Sequence, residues 1–245
     1  MNLLRVLVVI TLLIISLASC KKDDSNQSPA PRERIKTYTE TLVSSSFGTL
    51  SYTYNLSYDQ DGRLLSMVNA ESAGDRFVFT YGQAGFNMEI FGNNDLVIHQ
   101  DVFLNGNLMD STFQYNNEGD TTTEKYFYNG DNMLVTLNRY SHSGDVSVLD
   151  EVVTYTYDAN KNLTREASHY GSINYEYDAA TPEIIDLFPV YFSYSKQLPS
   201  KVTSTYLNHD YVAEHSYSLD AKNRLVSDVA TFINGDVVTK TFTYE

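Results

Sequence analysis

The stretch Tyr155-Thr156-Tyr157-Asp158-Ala159-Asn160-Lys161-Asn162-Leu163 reads as a strand, a turn and a returning strand. Tyr155 and Tyr157 stand two apart, so they share one face of an extended segment. Asp158 can accept hydrogen bonds from its own downstream backbone and start the turn. Leu163, six residues beyond Tyr157, is placed to return to the same face as its cross-strand partner. The phrase recurs as Leu56-Ser57-Tyr58-Asp59-Gln60-Asp61-Gly62-Arg63-Leu64 and as Tyr217-Ser218-Leu219-Asp220-Ala221-Lys222-Asn223-Arg224-Leu225. Gly62 and Asn223 occupy a position that tolerates a left-handed backbone. Lys161 stands at that position in the first copy, so its turn is expected to take another shape. Tyr177 and Asp178 begin a further, incomplete copy.

Outward from these turns the chain alternates. From Thr49 to Tyr58, the residues Leu50, Tyr52, Tyr54, Leu56 and Tyr58 fall on one face, and Thr49, Ser51, Thr53, Asn55 and Ser57 on the other. That pattern belongs to a sheet with one packed and one wet face. Asn105-Gly106, Asn129-Gly130 and Asn234-Gly235 each lie between strand-like runs and signal tight hairpins. One stretch breaks the alternation: Thr181-Pro182-Glu183 has the residues of a helix start, and Pro189 would end a short helix over 181–188. Repeat spacings near twenty residues fit one hairpin plus a return. The fold expected is all-β: an up-and-down antiparallel meander of about fifteen strands, curled into an open or porin-like barrel. No composition break divides residues 35–245 into two domains.

The N-terminus has a different character. Residues 6–17 are almost wholly apolar behind Arg5, which is too short for a comfortable span and reads as an export signal over residues 1–19. Leu17-Ala18-Ser19-Cys20 resembles the bacterial lipobox, which implies cleavage before Cys20 and a diacylglycerol on its sulfur. Cys20 is the sole cysteine of the chain, so the domain beyond it contains no disulfide. Residues 20–34 form a polar tether, about 20 Å long as a flexible coil. Lys21-Lys22-Asp23-Asp24 resembles the charged export signal of surface lipoproteins of the Bacteroidota.

The turn phrase resembles the Tyr-Asp repeats of Rhs-type proteins, which wind β shells around a cargo; this chain is far too short to enclose a polypeptide. A closer resemblance covers nearly the whole chain beyond Cys20. The lipobox, the Tyr-Asp turns and Leu198-Pro199-Ser200-Lys201 resemble Bacteroidota lipoproteins with a porin-like antiparallel β fold. That family has no established activity. The resemblance therefore implies a barrel held at the outer membrane, on the cell surface or on its periplasmic face.

Composition narrows function without naming it. The 245 residues carry 17 basic and 31 acidic side chains, a formal charge of −14. This opposes nucleic-acid phosphates and anionic headgroups, so the membrane partner is reached through the lipid on Cys20. No nucleophile elbow, metalloprotease helix, phosphate loop or dinucleotide fingerprint is present, and no cofactor, metal or catalytic residue is assigned. His99, His142, His169, His209 and His215 are scattered and read as solvent-facing or capping. Asp59-x-Asp61-Gly62 lacks the further ligands of a calcium loop and reads as a turn. Tyr191 and Tyr194 are the candidate contacts for a glycan or protein ligand, because aromatic faces on an irregular segment make rigid binding surfaces. The same rings could instead plug one end of the sheet. The functional expectation is a non-catalytic binding or structural module. The alternative is a hydrolase of glycans or envelope material, which would need two interior carboxylates at glycosidase spacing.

Overall fold

Period-two alternation builds the wall of the molecule. The computed structural model describes residues 34–144, 146–179, 181–182, 195, 197–206 and 209–245. In chain order the strands are β1 (Ile35–Ser44), β2 (Gly48–Tyr58), β3 (Leu64–Asn69), β4 (Arg76–Tyr81), β5 (Gly85–Gly92), β6 (Asp95–Asn105), β7 (Leu108–Asn116) and β8 (Thr121–Tyr128). They continue as β9 (Leu134–Ser143), β10 (Val146–Tyr157), β11 (Leu163–Ser168), β12 (Gly171–Glu176), β13 (Lys201–Tyr206), β14 (His209–Leu219), β15 (Leu225–Phe232) and β16 (Val237–Tyr244). Each strand pairs antiparallel with its sequence neighbours, and β1 closes on β16. The expected meander is thus a closed barrel of sixteen strands. Apart from Thr181 and Pro182, the helix expected over 181–188 lies outside the described residues, as do Cys20, Tyr191 and Tyr194.

The two faces of the wall differ sharply. Tyr54 and Leu56 are buried inside the barrel, as are Tyr38 on β1 and Phe242 on β16. On the outside, hydroxyls ladder across the strands: Thr39 Oγ1 to Thr53 Oγ1 at 2.9 Å, Thr41 Oγ1 to Ser51 Oγ at 2.9 Å, and Ser57 Oγ to Ser66 Oγ at 2.7 Å. Aromatic residues on the outer face are interleaved with charge, as where the Arg76 guanidinium lies 4.0 Å from the Phe91 ring centroid. A lipid-embedded barrel needs a continuous apolar outer band, and the hydroxyl ladders of β1–β3 interrupt such a band. The buried side chains form two main clusters. One lies around β1–β5 with β15 and β16, and the other lies around β9–β12.

The barrel is built twice. Strand lengths run 10, 11, 6, 6, 8, 11, 9 and 8 residues through β8, then 10, 12, 6, 6, 6, 11, 8 and 8. Ile35 and Leu134, Tyr58 and Tyr157, and Leu64 and Leu163 occupy matching places, each pair 99 positions apart. Later in each half the separation becomes 116, as between Tyr128 and Tyr244. The repeating unit is therefore eight strands, and the twenty-residue period expected from the sequence is only a hairpin within it.

Candidate functional site

Both described chain ends lie at one end of the barrel, where the Glu245 N–H donates to the Arg34 carbonyl at 2.9 Å. We call this the tether end and the opposite one the far end. The turns after β2, β8, β10 and β14 at the tether end share one construction. Oδ1 of Asp59, Asn129, Asp158 or Asp220 accepts the N–H groups two and four residues ahead, at 2.8–3.0 Å. The third residue ahead is left-handed: Gly62, Asn132, Lys161 or Asn223. Lys161, with φ of 67°, therefore makes the same turn as the others, which corrects the expectation of another shape. A non-glycine residue pays about 1–2 kcal/mol for that conformation, and the two bonds to Asp158 offset it.

Sequence reasoning missed two copies. Asn129-Gly130 signals a tight hairpin, yet Tyr128 pairs with Leu134 across a full turn. Asn116 builds the same turn at the far end, with Gly119 left-handed. The signal was present: Tyr128 to Leu134 has the same spacing as Tyr157 to Leu163, with Asn in place of Asp. Asn105-Gly106 does form a two-residue hairpin, closed by the Asn105–Leu108 pair, with Gly106 left-handed.

A ring of tyrosines lines the rim at the tether end. The hydroxyls of Tyr58, Tyr81, Tyr157, Tyr177 and Tyr244 donate to the carbonyls of Ile35, Leu64, Leu134, Leu163 and Leu225 at 2.6–2.9 Å. Each ties the end of one strand to the start of an earlier one, and each acceptor residue is itself buried. Burial pushes the Tyr58 and Tyr177 hydroxyls up to about 12, so they remain donors. Arg34, Arg63 and Arg224 stack over Tyr58, Tyr81 and Tyr244. Leu219 pairs with Leu225 but is exposed at the rim; Tyr217 takes the inner position and donates to the Pro199 carbonyl at 2.6 Å. The Asp178 carbonyl accepts the N–H and hydroxyl of Thr181. Ser195 and residues 197–200 lie at the tether end, where the Leu198 N–H donates to the Pro182 carbonyl. Buried Ser195 accepts the Leu163 N–H at 2.7 Å, and Leu198 joins the first core cluster.

The interior carries charge at two matched places. In the first, Glu40 on β1 faces Lys240 on β16, and the Tyr38 hydroxyl donates to Glu40 at 2.5 Å. In the second, Arg139 on β9 faces Glu124 on β8, and the Tyr126 hydroxyl donates to Glu124 at 2.6 Å. Glu40 and Arg139 are equivalent by position, as are Lys240 and Glu124, so the pair is retained with its charges exchanged. Arg139 also reaches Glu151 on β10. Glu124 and Glu151 are thus brought together inside the barrel, but both are held by one guanidinium. Glu166 lies apart from them beside the Tyr175 hydroxyl; burial raises its carboxyl, and that hydrogen bond only partly offsets the rise.

The histidines are not all solvent-facing as expected. His215 points into the barrel with Nδ1 2.9 Å from Asp228 Oδ1. His99, on the outer wall, lies between Glu89 and Asp101 and stacks on Tyr115 with ring centroids 4.8 Å apart. No group of three metal-binding side chains occurs among the described residues.

At the far end the turns carry exposed apolar side chains along one arc. Phe47, Tyr170, Tyr206 and Ile233 lie in or beside the turns after β1, β11, β13 and β15. Val146 and Val148 lie just beyond the turn that joins β9 to β10.

A closed antiparallel barrel with a tyrosine-lined rim defines the class of fold. Comparison with solved structures agrees with it. A porin-like protein from Bacteroides uniformis is similar over 86% of this chain and 98% of its own, with a TM-score of 0.63 and 14% identity. A porin-like protein from Bacteroides vulgatus is similar over 87% of this chain and 99% of its own, with a TM-score of 0.65 and 12% identity. At such identities the likeness is one of fold. No family model and no curated protein matches the chain.

Proposed function

We propose that the chain is a lipoprotein, anchored through Cys20 to the outer membrane and displayed on the cell surface, acting as a non-catalytic binding or structural module. The observation that carries this reading is the polarity of the wall. Hydroxyl ladders such as Thr39–Thr53 and Thr41–Ser51 line its outside at β1–β3, and Tyr54, Leu56 and Phe242 are buried inside. Such a barrel rests in water, so a membrane holds it by a tether and not by its strands. The tether would leave from Arg34, beside the tyrosine ring. The far end with its apolar turns then faces away from the membrane. Of the interior carboxylates, Glu124 and Glu151 are bound to Arg139, while Glu40 and Asp228 both lie opposite Lys240 with Tyr38 and His215 as their hydrogen-bond partners. Contact of a glycan or protein ligand with Tyr191 and Tyr194 belongs to the same proposal.

Membrane fractionation of Cys20→Ala tests the anchor. The variant should leave the membrane pellet and appear in the soluble fraction or the medium. Full retention in the pellet would overturn the assignment.

A further inference from the structure

Among the described residues, the longest run of strand without a ladder partner on one side lies on β10. β10 is paired with β9 from Val146 to Thr154, whereas it is paired with β11 only from Thr154 to Tyr157. Facing β11, the backbone of residues 146–153 therefore has no ladder partner among the described residues. The equivalent strand β2 also overhangs its neighbour, but its ladder with β3 extends to the Tyr54–Asn69 pair. There the Ala70 N–H continues it by donating to the Thr53 carbonyl at 2.7 Å. The difference arises in the next connection. β3 and β4 are joined by residues 70–75, and β11 and β12 by His169 and Tyr170 alone.

The two overhangs also differ in chemistry. The outer residues of the β2 overhang are Thr49 and Ser51. The β10 overhang exposes Leu149 (49%) and Val152 (38%) on its outer face, and Val146 (60%) and Val148 (51%) on the face that Arg139 shares. Exposed strand edges are ordinarily guarded by Lys, Pro or a short length. This one contains neither residue; its guards are the single bulge between Leu149 and Glu151 and the exposed Asp150 within it. Of two otherwise matched halves, one has Thr49 and Ser51 on the outer face of its overhang and the other has Leu149 and Val152 there.

The occupant follows from what a strand edge can bind. A row of unpaired N–H and C=O groups is matched by extended backbone, with alternate side chains setting the preference. Exposed Asp150 and the absence of Lys or Arg from 140 to 160 favour a positively charged segment. A second copy of this chain would bring the same acidic edge against itself, placing like charges across the ladder. We propose that the free edge of β10 accepts an extended, β-branched, cationic polypeptide segment of a partner protein as an added strand. This names the partner class for the binding module above and does not depend on the anchor.

Hydrogen exchange read by mass spectrometry on the full chain tests it, with the synthetic peptide acetyl-Lys-Val-Thr-Val-Thr-Val-Lys-amide as probe. At saturation, exchange over residues 146–153 should slow by about tenfold or more, while residues 48–52 stay unchanged. The double variant Val148→Lys with Val152→Lys, both at exposed positions, should keep the urea midpoint and lose the slowing. No slowing at 146–153, or equal slowing in the variant, would overturn the proposal. Slowing that grows with protein concentration in the absence of peptide would assign the edge to a second copy and overturn it too. An unchanged Cys20→Ala fractionation alongside peptide-dependent slowing would remove the anchor and leave the docking edge standing.

Discussion

Glu166 shows how one side chain can be set by burial against its own chemistry. It faces inward from β11, opposite Ile173, with the Tyr175 hydroxyl as its partner. Burial raises its carboxyl above the usual carboxylate range, and the Tyr175 hydrogen bond lowers it only in part. A carboxyl raised on folding favours the folded state most below its unfolded pKa, near 4.3. That contribution is lost as pH rises through the folded value. Glu166→Gln should therefore leave stability in acid nearly unchanged and raise it at neutral pH. Urea unfolding of both proteins at pH 4 and pH 7 checks the sign. A variant less stable at pH 7 than the parent would show that the ionised carboxylate is needed. Asp220 runs the other way. The Arg224 side chain, then the backbone N–H groups of Arg224 and Lys222, lower its carboxyl. Its contribution is present above the unfolded pKa and lost as pH falls through the folded one.

The turn is the element on which the barrel depends, and Asn129 already provides its control. Asn129 accepts the same two N–H groups as Asp158 without a charge. The essential property of Asp158 is thus its short oxygen acceptor. Asp158→Ala should cost about 1–2 kcal/mol, because two N–H groups lose their partner. Asp158→Asn should cost less than half of that. The shift of the urea midpoint measures both, and equal losses would mean that the charge, and not the acceptor, holds the turn. The next strands depend on this local geometry. Leu163 must return opposite Tyr157 for the Tyr157 hydroxyl to reach the Leu134 carbonyl at 2.7 Å. Gly171 shows the same dependence at the far end. A Cβ there would stand 2.0 Å from the Thr205 carbonyl oxygen, so the β11–β12 turn can lie against β13 only with glycine at that place.

For the whole molecule, the seam between Tyr244 and Ile35 is the β8–β9 turn with its chain cut. Glu245 donates to the Arg34 carbonyl as Asn129 donates to that of Met133. Tyr244 pairs with Ile35 as Tyr128 pairs with Leu134. A circular permutant that joins residue 245 to residue 34 by a short Gly-containing link, with new ends between Gly130 and Asp131, should fold to the same barrel. Its far-ultraviolet circular dichroism should match the parent, and its urea midpoint should fall only slightly. Loss of cooperative unfolding would show that the halves are not interchangeable around the seam. The exchanged interior pairs, Glu40 with Lys240 and Glu124 with Arg139, support equivalence: what was retained is an opposite charge across a ladder and not the identity of either residue.

The sequence by itself determined the local geometry. Alternation from Thr49 to Tyr58 fixed which face packs, because side chains in a strand have period two. The residues Tyr157, Asp158 and Leu163 fixed a turn and its register, because an acceptor and a return distance are properties of nine consecutive residues. The Asn copies were legible by the same spacing and were hidden only by the change of side chain. Closure of β1 on β16, the two equivalent halves, the exchange of charge between Glu40 and Arg139, and the bare edge of β10 belong to the tertiary structure. Each depends on which strands become neighbours across 99 or 116 positions, and no periodicity within a strand encodes that. His215 beside Asp228 and Arg139 between Glu124 and Glu151 were unreadable for the same reason. A polar side chain inside the barrel is identified by the residue opposite it, and the ladder alone decides which residue that is.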